Sequence, residues 1–185
     1  MSDNLDKYNI AVVGATGQVG ETLFEILDER QFPIKNIFAL ASSNSLGKTI
    51  SCGKRTVEIQ DLKKFNFGQV DIAFFSAGSE VSSKYVPKAA AANCVVIDNT
   101  SAFRYDSSIP LVVPEVNSSD IRYFKKTNII ANPNCSTIQM VVALKPIHEK
   151  YGIKRVNVST YQSVSGSGRS GIEELAVQTS NLLNA

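Results

Sequence analysis

One histidine, three cysteines and a formal net charge of only +2 in 185 residues exclude several classes of protein. Cys52, Cys94 and Cys135 are odd in number and unrelated in spacing, so they make neither a disulfide framework nor a metal-ligand pattern. The expectation is a reducing, cytoplasmic setting with no bound metal. The small net charge gives no reason to expect nucleic acid or an anionic membrane as partner. Lys63-Lys64 and Lys125-Lys126 are isolated pairs that read as solvated surface. No apolar run approaches the roughly 20 residues needed to cross a bilayer. The polar stretch Met1 to Tyr8 lacks the apolar centre of a secretory signal.

What remains is an ordinary globular composition, 43% hydrophobic and 19% charged. Its length suits one domain, or one domain with part of a second. The chain alternates strand and helix. Tyr8 to Val13 is a short β-rich run, followed by a helix carrying Val19, Leu23, Ile26 and Leu27 at helical spacing. Strands are expected at Asn36–Ala41, Val70–Ser76, Cys94–Ile97, Leu111–Val113 and Asn128–Ala131, with a helix running through Val86–Ala92. This alternation predicts an α/β fold with a doubly wound, mainly parallel sheet of the Rossmann type.

A boundary is expected at Asn132-Pro133-Asn134, giving a nucleotide-binding domain over residues 1–133. The start of an α+β catalytic and dimerisation domain is expected over 134–185. That second part reads as a helix from Ser136 to Lys150, a β-rich run from Lys154 to Val164, a Gly/Ser loop and an amphipathic helix ending at Leu183. One strand and two helices cannot close a domain, so the chain is expected to stop within it.

Gly14-Ala15-Thr16-Gly17-Gln18-Val19-Gly20 joins the first strand to the first helix. Its glycines suit a tight turn at Gly14, close backbone approach to a pyrophosphate at Gly17, and helix-on-strand packing at Gly20. The spacing is G-x-x-G-x-x-G rather than the commoner G-x-G-x-x-G. The plain alternative is that the glycines serve only a tight connection. At the end of the second strand, where NAD sites usually place an acid, Ala41 to Lys48 contains none. Its hydroxyls and lysine favour a 2′-phosphate, hence NADP over NAD.

Cys135 precedes an apolar helical run (Ile138, Val141, Val142) and so falls at a helix start, where free N–H groups favour a thiolate. Such a thiol could attack an acyl phosphate or aldehyde, with backbone N–H groups receiving the oxyanion. Cys52, in a Gly/Ser-rich loop, and Cys94, opening a strand, read as structural. Cysteine catalysis usually calls on a histidine. The only one, His148, lies thirteen positions after Cys135 on the same expected helix. That is a separation of about 20 Å along the axis, so His148 is expected on a helix surface with no part in the chemistry.

Four segments occur in order: Gly14 to Gly20, Asn99-Thr100-Ser101-Ala102-Phe103-Arg104, Asn132 to Thr137, and Tyr161-Gln162-Ser163-Val164-Ser165-Gly166. Together they resemble the aspartate-semialdehyde dehydrogenase family over essentially the whole chain. The resemblance implies NADPH-dependent reductive dephosphorylation of L-aspartyl 4-phosphate to L-aspartate 4-semialdehyde. That step feeds lysine or diaminopimelate, methionine and threonine synthesis. It implies Cys135 as the residue forming a thioacyl intermediate and Gln162 as orienting substrate beside it, with Arg104 and Asn134 at the phosphate. It also implies Gly14, Thr16, Gly17, Gln18, Val19 and Gly20 at the pyrophosphate, and Ser42 and Ser43 near the 2′-phosphate. Ser76, Ala77 and Gly78 would lie near the phosphates, and Ser165 and Gly166 near the nicotinamide. The family often has an arginine where this chain has Asn44-Ser45. Family members also run well past 185 residues, which implies an N-terminal portion without the catalytic histidine. A homodimer through the remaining part is implied as well.

Two other readings stay open. N-acetyl-glutamyl-phosphate reductase shares the thiol and NADPH logic, but would be expected to carry glycine where this chain has Asn134. A catalytically silent nucleotide-binding module is the other, and the reactivity of Cys135 separates it from an enzyme.

Overall fold

The computed structural model describes residues 7–184. Residues 1–6 of the expected first domain, and Ala185, lie outside the described residues.

β1 (Tyr8–Val13) has the bounds expected from its sequence. Its side chains alternate between two apolar layers: Ile10 and Val12 enter one, Ala11 and Val13 the other. All four are fully buried, the mark of a central strand covered on both faces. α1 (Gln18–Glu29) covers the Ile10/Val12 face through Gly20, Phe24 and Leu27. Of the expected stripe, Leu27 is buried and Leu23 packs half-buried against the core, whereas Val19 and Ile26 are exposed and Phe24 takes up the core position between them. β2 (Ile34–Ala41) follows, two residues longer than expected. α2 (Ser79–Ala91) covers the opposite face with Val86 and Ala89.

β3 (Thr49–Cys52) and β4 (Arg55–Asp61) form a hairpin where a Gly/Ser-rich loop was expected around Cys52. Gly53 makes the turn at φ 57°, and in β4 Val57 and Ile59 alternate inward. Cys52 therefore ends a strand and is buried. β5 (Ile72–Phe75), β6 (Val95–Asp98) and β7 (Ile129–Ala131) complete a seven-stranded sheet in the order β3-β4-β2-β1-β5-β6-β7. Every pairing is parallel except that of β3 with β4. Leu111–Val113 is not a strand. It makes only a single bridge, Leu111 to Ala131, before the short helix α3 (Pro114–Asn117).

Beyond β7 come α4 (Cys135–Tyr151) and α5 (Arg169–Leu183), with extended chain between them. The β-rich run Lys154–Val164 forms no strand, because no neighbouring strand offers it a ladder. No described helix is long and apolar enough to cross a membrane.

Candidate active site on the carboxyl edge of the sheet

In a parallel sheet the loops following the strands gather on one edge. The strand order reverses here between β1, which leads outward to β2, and β5, which starts the other half. Gly14 and Ser76 stand at that reversal. The Ser76 hydroxyl donates to the Val13 carbonyl at 3.1 Å, and the Gly14 N–H to the Leu40 carbonyl at 2.9 Å. Gly14 has φ 88°, and a Cβ there would come within 2.9 Å of the Ala77 nitrogen. A Cβ on Gly20 would collide with the Gly14 carbonyl, so the helix sits against the turn only because residue 20 is glycine.

Gly17 is the N-cap of α1 and Gly78 that of α2, and neither helix has a side-chain cap. Two helix starts at one cleft thus keep their first-turn N–H groups for a ligand, the donor set that a pyrophosphate requires. The cleft has a volume of about 590 Å³ and is lined by Gly14, Thr16 and Gly17, with Ser42, Ser76 and Ala77 opposite. These residues fit a dinucleotide. The turn Val164–Ser167 reaches the same cleft, but through Ser167 and Gly168 rather than the expected Ser165 and Gly166. Gln18, Val19 and Gly20 belong to α1 itself, Ser43 to the 3-10 turn after Ser42, and Gly78 to the start of α2. None of these five lines the cleft.

The second half of the edge holds the thiol. Cys135 is the first residue of α4 and is exposed. Asn134 caps the helix, its Oδ1 accepting the Ser136 N–H at 3.0 Å. The Asn134 carbonyl takes the Ile138 N–H. This leaves the Cys135 and Thr137 N–H groups as the free donors beside the thiol. Across 27 residues of chain, Gln162 Nε2 donates to Cys135 Sγ at 3.7 Å, and the thiol lies 3.9 Å from Asn134 Oδ1.

A polar lattice fixes the approach to this helix. Arg104 Nε donates to the Asn132 carbonyl at 2.9 Å, and its Nη2 to the Asn99 carbonyl at 3.2 Å. The Asn132 amide in turn donates to Asn99 Oδ1. Arg104 thereby ties the loop after β6 to the segment that leads into Cys135. Two of its five N–H donors are committed to this role, and the rest remain for an anion. Beneath the loop, Asp98 is fully buried and receives the Ser82 hydroxyl at 2.7 Å and the Thr100 hydroxyl at 2.9 Å. No local signal in the sequence marks Asp98 for this role.

His148 lies in the last turn of α4, its Nδ1 accepting the Ile153 N–H at 3.1 Å, far from the thiol as expected. Burial, reinforced by the Asp71 carboxylate, pushes the Cys94 thiol up to about 12. Burial, with Asp28 as a second cause, also raises Cys52. Asp61 and Lys63, both on the cleft wall, carry no motif that marks them in the sequence. Lys63 is exposed, as its pairing with Lys64 suggested, but it faces a site.

Residues 9–124 match the semialdehyde dehydrogenase NAD binding domain, and residues 144–185 match the semialdehyde dehydrogenase dimerisation domain. Aspartate-semialdehyde dehydrogenase 2 of Vibrio cholerae is 60% identical over 178 residues, 96% of this chain and 53% of that protein. The Legionella pneumophila aspartate-semialdehyde dehydrogenase is 59% identical over 95% of this chain and 51% of its own length. The crystal structure of the Vibrio cholerae aspartate semialdehyde dehydrogenase II complexed with ASA has a TM-score of 0.93 at 59% identity, covering 97% of this chain and 53% of that one. The Candida albicans enzyme, solved with NADP, has a TM-score of 0.67 at 28% identity over 80% of this chain and 48% of that one. The chain thus spans about half the length of the curated relatives it matches.

Proposed function

The chain belongs to the semialdehyde dehydrogenase family, and on that premise we propose that it is the nucleotide-binding and thiol-bearing portion of an aspartate-semialdehyde dehydrogenase. The reaction is NADPH-dependent conversion of L-aspartyl 4-phosphate to L-aspartate 4-semialdehyde and phosphate. The observation that carries this reading is the meeting of the Cys135 thiol with the Gln162 amide at the start of α4. It occurs on the same sheet edge as the glycine-lined cleft.

Cys135 Sγ attacks the acyl carbon of the aspartyl phosphate, and the bond from that carbon to the phosphate oxygen breaks. Phosphate departs and a thioester forms on the sulfur. The free Cys135 and Thr137 N–H groups receive the oxyanion on the way. Asn134 Oδ1 is held by Ser136, so Asn134 offers its amide N–H to the phosphate, beside the uncommitted N–H groups of Arg104. Gln162 orients the acyl group over the thiol. NADP(H), when bound in the cleft, supplies hydride chemistry. The residues that would hold it are Gly14, Thr16, Gly17, Ser42, Ser76 and Ala77, with Ser167 and Gly168 at the thiol side.

The nucleotide-binding part runs to residue 133 and the catalytic and dimerisation part begins at residue 134. The setting is cytoplasmic, the assembly a homodimer, and the pathway the synthesis of lysine or diaminopimelate, methionine and threonine. No histidine stands by Cys135 within the chain, so the 185 residues alone are expected to show no steady-state turnover. They are expected to acylate. Incubation with L-aspartyl 4-phosphate adds an aspartyl group to Cys135, seen by intact mass and peptide mapping, and Cys135→Ser abolishes it. An unmodified thiol in the folded chain would sink the proposal and leave a nucleotide-binding module without catalytic chemistry.

A further inference from the structure

The cleft wall beside the end of β2 shows how the chain could recognise a 2′-phosphate without the arginine that its family often carries. Ala41 pairs with Asp61 in the β2–β4 ladder, so residues just past the end of β4 come alongside Ser42. Asp61 Oδ1 accepts the Lys63 N–H at 3.0 Å and shapes a single 3-10 turn, Leu62–Lys64. Leu62 is buried and pins that turn to the core. Lys63 is the one cation among the described residues that line the cleft, whereas Lys48, at the end of the serine-rich stretch, is not a lining residue. Among the described residues the only salt bridge is Lys145–Glu149, so the Lys63 ammonium is uncommitted.

We propose that Lys63, with Ser42, forms the cofactor's 2′-phosphate subsite and sets the choice of NADPH over NADH. This rests on the cleft being the nucleotide site. Asp61 stands in the same wall and could instead hold an unphosphorylated ribose as the acid of an NAD site does. Two features argue against that. Its Oδ1 is already engaged by the backbone, and it ends β4 rather than β2. A flexible ammonium and a hydroxyl lining the same cleft suit a phosphate.

The test is calorimetric titration of the 185-residue chain with NADPH, NADH, ADP-ribose and its 2′-phosphate. The titrations are repeated for Lys63→Gln, Lys63→Arg and the control Lys64→Gln. Lys63→Gln is expected to weaken both 2′-phosphorylated ligands by about ten- to a hundred-fold, the effect of one lost charge-assisted hydrogen bond. It should leave NADH and ADP-ribose within about two-fold, since no neutral contact changes. Lys63→Arg should keep the preference and Lys64→Gln should match the unaltered chain. If NADPH is preferred but Lys63→Gln weakens all four ligands alike, or none, the subsite is overturned while the nucleotide site stands. Preference for NADH, reduced by Asp61→Asn, overturns it in favour of a ribose-binding carboxylate. Binding of no nucleotide removes the cleft reading and this inference together.

Discussion

The sheet region and the segment beyond β7 are built on different terms. Among the described residues, every buried one lies between Ile10 and Ala131, most of them in the two apolar layers on either face of the sheet. From Asn132 to Asn184 not one described residue is buried, although the segment holds two helices and apolar side chains such as Val158, Leu175 and Leu182. Its helices follow from local signals: the Asn134 cap and the left-handed Gly152 bound α4. Local signals can set helix bounds without any core. The contrast bears on function because the thiol sits at the seam. Its approach is clamped to the sheet region by Arg104, Asn99 and Asn132. Its neighbour Gln162 comes from the unburied segment.

The largest test of that contrast compares Phe24→Ala with Leu182→Ala. Phe24 is fully buried between α1 and the sheet, while Leu182 is 81% exposed. The first is expected to lower unfolding stability by about 3–5 kcal/mol, and the second to stay within about 0.5 kcal/mol. Urea midpoints by circular dichroism decide it. Comparable losses at both positions would mean that α5 packs in solution as tightly as the sheet, and the division would be wrong.

The cysteines sharpen the same comparison. At neutral pH, iodoacetamide is expected to label Cys135 at least about a hundred-fold faster than Cys52 or Cys94, whose exposure requires opening of the core. Cys94 adds a pH dependence. Its folded thiol keeps its proton up to about 12 against an ordinary value of 9.0. The stability linked to it is therefore complete below 9.0 and is lost as pH rises through about 12. Urea midpoints should fall over that window, and fall less in Cys94→Ala. A parallel decline in both proteins would assign the loss to other groups.

The parts of the fold legible in the sequence are those fixed by neighbours in the chain. β1 ends at a glycine turn and α4 starts at an Asn cap, and both were placed to within a residue. The errors share one physical cause. Cys52 reads as part of a Gly/Ser-rich loop, and Arg55–Asp61 as no element, until β4 is seen beside β2, because the Cys52-Gly53-Lys54 turn hides two short strands. Lys154–Val164 reads as a strand on composition, but a strand exists only with a partner. In the site, Gly14 and Cys135 could be found from local context. Gln162 could be placed only by family resemblance, and Lys63 not at all, because its place depends on the register of β4 against β2.

The smallest expected effect probes α4 itself. Lys145 Nζ and Glu149 Oε1 lie 2.9 Å apart, with side chains 34% and 61% exposed. They are an i,i+4 pair in the less favourable order, lysine preceding glutamate, and water screens them. Glu149→Gln is therefore expected to change stability by no more than about 0.5 kcal/mol, with the little that is lost disappearing in high salt. Lys145 also borders an apolar groove with Val116, Leu144 and Ile153. Its stem could pack there whether or not the charge pair forms. Lys145→Ala should accordingly cost more than Glu149→Gln, and the difference should persist in salt. If the two substitutions cost the same and salt erases both, the ion pair rather than the groove holds this helix surface. The α4 region would then owe its order to charge, where the sheet region owes it to burial.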